Sequence, residues 1–170
     1  MIKNIEKNRY GEYEGEFYSP LFNADIKVSI PSEEKMDYAQ KCVEYFCQMS
    51  NDIVDRLCRY CIRYCEEFRA ILFEEDMPVP EGVDGREILD YIEPTLFIVE
   101  EKSDESVIEF HVECECEWEM EHGLEITIKD GKILYVGSFD DMAPCNLDRI
   151  AYVGYYNEDI DMNMNYADKE

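Results

Sequence analysis

Residues whose types and spacing suit chemistry gather in four places in this chain. The first is Glu121-His122, with Asp140 and Asp141 further on. A histidine oriented by a carboxylate can act as a general base. No serine or cysteine in an elbow-like context accompanies it, Cys145 being a remote candidate. A histidine next to Gly123 also serves, more plainly, as the cap of a tight turn. The second place is the thiol run Cys58, Cys61, Cys65. Its order is C-x-x-C-x-x-x-C, the reverse of an iron–sulfur spacing, and it sits inside a helical pattern. Cys42 and Cys47 do not complete it. Buried cysteine in a helix core is the plainer reading. The third is Cys114-x-Cys116 with His111 or His122. Two cysteines at i, i+2 share a strand face, as a zinc pair would. They share it with Phe110, Val112 and Trp118, however, and no second Cys/His pair completes a tetrahedron. The fourth is Asp159-x-Asp161-x-Asn163-x-Asn165, with Glu170 at the twelfth place of a calcium-loop pattern. Met164 stands where that loop needs glycine, and no exit helix follows. No cofactor and no metal is expected from these four sets.

The larger unabsorbed feature is acidic. Glu109, Glu113, Glu115, Glu117 and Glu119 alternate with Phe110, Val112, Cys114, Cys116 and Trp118, and His111 falls on the glutamate side. Side chains on a strand alternate between faces, so the pattern predicts an apolar face backed by an acidic one. A slip of one residue would bury the glutamates, which fixes the register. Successive glutamates on one face lie ~7 Å apart, and each pair repels by about 0.6 kcal/mol in water. Three readings follow: a solvated sheet face, a face relieved by cross-strand cations such as Lys129 and Lys132, or a docking surface for a basic protein. The whole chain agrees in sign. Its 41 acidic residues against 16 basic ones give a net charge of −25. That charge opposes binding to nucleic acid and to anionic membranes, and it speeds encounter with cationic partners. Charge alone also raises the reading of a DNA-mimic inhibitor, which needs carboxylates arrayed at phosphate-like spacing.

The elements that must position these residues read as follows. Gly11–Tyr18 and Asp25–Ile30 alternate as two strands across a turn at Pro20–Ala24. Pro31-Ser32 ends the second, with Ser32 as a candidate N-cap before Glu33 and Glu34. A helical pattern then runs to about Phe73, with a weak spot at Met49–Asp52 that kinks or breaks it. Val54, Cys58, Cys61, Ile62, Cys65, Phe68 and Leu72 share one face of it, and Arg56, Arg59 and Arg63 the opposite one. After the loop at Met77–Gly82, Asp84 caps a short helix over Arg86–Tyr91. A four-stranded antiparallel meander follows from Thr95 to Asp141, its last turn being Asp130-Gly131. Lys129 then faces Lys132, and Thr127 faces Leu134. Lys132–Val136 is apolar on both faces and so is expected to be covered on both. Residues 157–170 are polar and acidic and are expected to fray.

The run Cys116-Glu117-Trp118-Glu119-Met120-Glu121-His122-Gly123-Leu124, then Lys129-Asp130-Gly131-Lys132, Val136-Gly137, Asp140 and Asp141, resembles a bacterial group catalogued as domain of unknown function 6985. The resemblance extends to the order of parts: N-terminal strands, a helix, then a strand-rich end. It implies that Trp118, Glu121, His122, Gly123 and Asp140 are shared positions, and it brings no activity or ligand with it. By analogy, small acidic proteins of this kind act as immunity or accessory proteins beside toxins.

Together these readings describe one α+β domain over residues 1–156 with a tail at 157–170. An antiparallel sheet of about six strands packs on a long helix or helical hairpin. No secretion signal or membrane span is evident, and eight cysteines without such a signal point to a reducing cytoplasm. The first functional expectation is a non-catalytic cytoplasmic protein that binds a basic protein through its glutamate face. The alternative is a small enzyme or metal site at the Trp118–Leu124 loop with Asp140 and Asp141.

Overall fold

The computed structural model describes residues 1–72, 77–146, 150, 154–157 and 160–168, with the backbone alone at 71–72, 154–157, 160–163 and 168. Seven strands form one sheet in chain order: β1 (Lys3–Lys7), β2 (Tyr13–Ser19), β3 (Ala24–Ile30), β4 (Ile92–Ile98), β5 (Glu109–Cys116), β6 (Glu119–Lys129) and β7 (Lys132–Gly137). Every neighbouring pair is antiparallel except β3–β4, which is parallel. A parallel pair needs a long crossover. Here α1 (Met36–Cys47) and α2 (Asn51–Leu72) supply it. The class is α+β, with seven strands rather than about six. The extra one is β1, whose residues are all exposed and so carry no alternation to read.

The long helix is two helices. The weak spot at Met49–Asp52 is a break: Gln48–Ser50 are non-helical, and the backbone N–H groups of Ile53 and Val54 bond the carbonyl of Ser50 as α2 starts afresh at Asn51. Ser32 stands at the start of a 3₁₀ turn (Glu33–Lys35) but makes no side-chain cap. Asp84 does cap its 3₁₀ segment (Gly85–Tyr91), accepting from the Gly85 N–H at 2.7 Å.

The helical side of the sheet holds the core. Phe17, Phe46, Phe97 and Phe110 meet edge-to-face or stacked, with centroids 4.6 to 6.1 Å apart. Phe110, Val112, Cys114 and Cys116 of β5 point this way and are buried, as their alternation predicts. Ile126 and Ile128 of β6 stand opposite Val112 and Phe110.

The outer side is where expectation and structure part. After Gly137 the chain folds back over β5–β7 as a strap. Met142 is buried against Tyr135, the Thr127 hydroxyl donates to the Met142 carbonyl at 2.7 Å, and the Tyr135 hydroxyl donates to the Ser138 carbonyl at 2.7 Å. Lys132–Val136 is therefore covered on both faces at Tyr135 and Val136. The Asp130-Gly131 turn has positive φ at both residues (48° and 72°), and Lys129 faces Lys132. A register shift beyond Ile128 sets Thr127 opposite Tyr135, not Leu134.

A further hairpin, β8 (Gly154–Asn157) with β9 (Ile160–Asn163), stands apart from the main sheet. It leads to a 3₁₀ turn, Tyr166–Asp168. Asn165, Tyr166 and Ala167 are buried, so fraying does not extend to them. Tyr166 stacks on Tyr64 of α2 at 4.9 Å, and the Asn165 side chain bonds the β7 edge at Leu134 and Val136. No helix among the described residues is long and apolar enough to cross a membrane.

Candidate functional site

The Trp118–Leu124 tract is the β5–β6 turn and the start of β6. Cys116 faces Glu119 across it. Alternation places Glu119 outward, but the turn brings its carboxylate inward, where it accepts the backbone N–H groups of Glu121 (2.8 Å) and His122 (2.9 Å). Glu119 is 4% exposed and holds the turn closed. Gly123 has φ +69°, and a Cβ there would lie 2.4 Å from the Cys114 carbonyl oxygen. Only glycine fits that conformation without strain. Trp118 is buried edge-on to Tyr64 at 5.8 Å, and the Tyr64 hydroxyl donates to the Gly123 carbonyl at 3.3 Å. Glu121 and His122 stay exposed, and the His122 ring reaches back to Glu119 at 3.3 Å.

Asp140 and Asp141 do not join that turn. They belong to the strap, and the strap is fastened to a buried polar cluster on the outer face of β5 and β6. Glu125 lies at its centre, 0% exposed. Its carboxylate accepts the N–H groups of Asp140 (3.1 Å) and Met142 (2.9 Å). It also meets His111 Nδ1 at 2.6 Å, while His111 Nε2 meets Glu100 at 3.0 Å. His111 is fully buried. Burial alone would depress its imidazolium, but the hydrogen bonds and charges of Glu100 and Glu125 outweigh that and raise the pKa from the usual 6.5 to about 9. The hydrogen bond to His111 in turn holds Glu100 below the usual carboxylate range. The Asp141 carboxylate comes within 4.8 Å of the His111 and Glu100 ligand atoms. Neither Glu100, Glu125 nor the strap could be linked to His111 from sequence. Its place on a strand between glutamates was the one available sign.

The five glutamates of the expected face fare differently from one another. Glu109 is fully buried, ion-paired to Lys129 at 2.6 Å and accepting the Asp104 N–H at 2.7 Å. Glu119 is buried in the turn. Both are corrections to a solvated row: the cross-strand cation Lys129 and the Asp104 N–H take up Glu109, and the turn's own N–H groups take up Glu119. Glu113 is half-buried; Glu115 and Glu117 are exposed. Glu115 stands directly opposite exposed Glu93 on β4, and Glu6 opposite Glu14 on β1–β2. Among the described residues, Glu93, Glu113, Glu115 and Glu117 form no ion pair with any lysine or arginine. On the same open half of the sheet lies a groove of about 480 Å³ lined by Glu6, Glu14, Glu16, Lys27, Ser29 and Leu96.

The remaining sequence candidates take structural places. Cys58, Cys61 and Cys65 of α2 and Cys114 and Cys116 of β5 are all buried. Burial raises the Cys61 thiol well above its usual range, with the neighbouring thiols adding to it. The two groups of described residues whose ligand atoms lie within 4.8 Å of one another contain no cysteine: Glu100, His111 and Asp141, and Glu119, Glu121 and His122. In the calcium-like run, Asp159 and Glu170 lie outside the described residues, and the Asn165 amide is taken up by β7. The arginine stripe is partly covered: Arg59 is exposed, while Arg56 and Arg63 are half-buried, Arg63 lying over the Tyr60 ring.

A family model described as a domain of unknown function (DUF6985) matches residues 1–144. That span takes in the whole seven-stranded sheet, both helices and the strap through Asp141, and stops short of β8 and β9. No curated protein and no solved structure matches the chain.

Proposed function

The chain belongs to the DUF6985 family, and from that premise we propose that it is a non-catalytic binding protein whose acidic sheet face engages a basic protein partner. The observation that carries this reading is the unneutralised carboxylate group on the open half of the sheet. Glu93 and Glu115 stand directly opposite each other, with Glu113 and Glu117 near them and, among the described residues, no lysine or arginine ion-paired to any of the four. Like charges directly opposite on a sheet are destabilising. The same protein neutralises Glu109 with Lys129 and surrounds Glu125 with donors. Leaving the Glu93–Glu115 group bare is thus a feature of this face, and a cationic partner relieves it. Surface charge of this kind speeds encounter and fixes orientation more than it adds affinity. By analogy with small acidic immunity proteins, a basic toxin is one partner of the right chemistry.

The test compares two variants of equal charge. Immobilised wild-type protein, a face variant (Glu93→Gln, Glu115→Gln, Glu117→Gln) and a remote variant (Glu81→Gln, Glu87→Gln, Glu101→Gln) are exposed to lysate of the source organism at about 50 and about 500 mM salt. The expected result is a basic protein retained by wild type and the remote variant at low salt, and lost from the face variant. Equal capture by both variants, or none by wild type at low salt, overturns the reading.

A further inference from the structure

We propose that Glu100, His111 and Asp141 bind a divalent transition-metal cation of the zinc class beneath the strap, with Glu125 holding the histidine from behind. The proposal goes beyond the docking reading and stands or falls independently of it.

The donor set is one imidazole nitrogen and two carboxylate oxygens, all within 4.8 Å of one another. His111 Nε2 and the Glu100 oxygen are already 3.0 Å apart. Two ligands at ~2.0–2.1 Å on a tetrahedral zinc lie roughly 3.3 Å from each other, so the ion enters with little movement. Mixed imidazole and carboxylate donors suit zinc, manganese or iron better than calcium. The other ring nitrogen, Nδ1, meets the buried Glu125 carboxylate at 2.6 Å. A carboxylate behind the ring is the partner that fixes a metal-binding histidine in its working tautomer and orientation.

The plainer reading is a protonated His111 bridging Glu100 and Glu125. It accounts for both contacts of the ring and leaves Asp141 unexplained. An imidazolium has two N–H groups, and Glu125 and Glu100 take both. Asp141 then brings a third carboxylate to the same point with no donor to accept from, and it does so with φ +54°. Among the described residues, the Asp141 carboxylate has no hydrogen bond and no ion pair to a lysine or arginine. Lys102 acts on Glu100, and Lys129 is paired to Glu109. Three carboxylates against one imidazolium leave two net negative charges. Against a divalent cation, with the ring neutral, they leave one. Asp141 is exposed, so the fourth position opens to water.

The experiment uses the full chain, stripped with a chelator, dialysed, and titrated with zinc chloride by calorimetry and thermal melting. Manganese and magnesium chlorides form parallel arms. The expected result is one equivalent of zinc bound at micromolar or tighter affinity, with zinc above manganese above magnesium, and a melting temperature raised by about 3–5 °C. Asp141→Asn, an exposed change checked for folding by circular dichroism, weakens binding at least ~10-fold, and Glu125→Gln weakens it ~10–100-fold. His122→Ala leaves it intact, which separates this site from the exposed group at Glu119, Glu121 and His122. His111→Gln abolishes binding if it folds; if it does not, Asp141→Asn decides alone. Absence of a saturable one-to-one isotherm overturns the proposal. So does zinc binding that survives Asp141→Asn, or that disappears with His122→Ala.

Discussion

Single residues in the β5–β6 turn carry structural weight that their chemistry alone does not advertise. Gly123 combines a φ of +69° with a hypothetical Cβ 2.4 Å from the Cys114 backbone oxygen. Gly123→Ala therefore strains the backbone and pushes two strands apart at once, and a loss of more than about 2 kcal/mol is expected from urea unfolding. Glu119→Ala leaves the Glu121 and His122 N–H groups without their carboxylate and costs about 1–3 kcal/mol. His122→Ala, whose side chain is 63% exposed, changes stability by less than about 0.5 kcal/mol. That order, Gly123 and Glu119 large and His122 small, is the signature of a turn held for folding. A large loss of binding or activity in His122→Ala without loss of stability would contradict it. The tract itself was legible in sequence, and so was the oily inward row from Phe110 to Cys116. The role of Glu119 was not, because alternation sends it outward and only the closing of the turn brings its carboxylate back to the backbone.

Elements hide from sequence when their reason for existing lies across the chain. The meander and the β2–β3 hairpin announce themselves by alternation and by Asp130-Gly131. The strap does not, since Ser138–Met142 has no period, and its fastening depends on Glu125 receiving backbone N–H groups fifteen and seventeen residues on. Buried His111 couples that fastening to pH. Its pKa is raised above the unfolded value, so its contribution to stability is full below pH 6.5 and is lost as pH rises through about 9. Glu100, with its pKa lowered, contributes above the usual carboxylate range and loses that as pH falls through its folded value. The urea midpoint of chelator-treated protein is thus expected to fall between pH 6.5 and 9 by more in wild type than in His111→Gln. Parallel curves would show that the cluster does not titrate with folding. The C-terminal turn is tested separately. Tyr166 is 1% exposed and stacked on Tyr64, so Tyr166→Ala should cost about 3 kcal/mol by urea unfolding. A frayed tail would give nearly none.

At the scale of the whole molecule, a charge of −25 works against stability. Self-repulsion weakens the compact state, and the sheet concentrates part of it where Glu93 faces Glu115. Sequence shows the total but not this pairing, because which glutamate meets which depends on the β4–β5 register. Glu93→Lys replaces a repelling cross-strand pair with an attracting one, and a gain of about 0.5–1 kcal/mol is expected at low salt. The gain should shrink as ionic strength approaches ~1 M, where the screening length falls to about 3 Å. Glu81→Lys, an exposed loop change with the same effect on net charge, should gain distinctly less. Melting curves of the two variants across a salt series decide the matter: equal gains would assign the effect to total charge and not to the pair. If the carboxylate face is a docking surface, the stabilised Glu93→Lys protein binds its basic partner more weakly than wild type, while Glu81→Lys binds unchanged. Stability and binding would then move in opposite directions from one substitution, which is what a face kept acidic for recognition requires and what a merely solvated face does not.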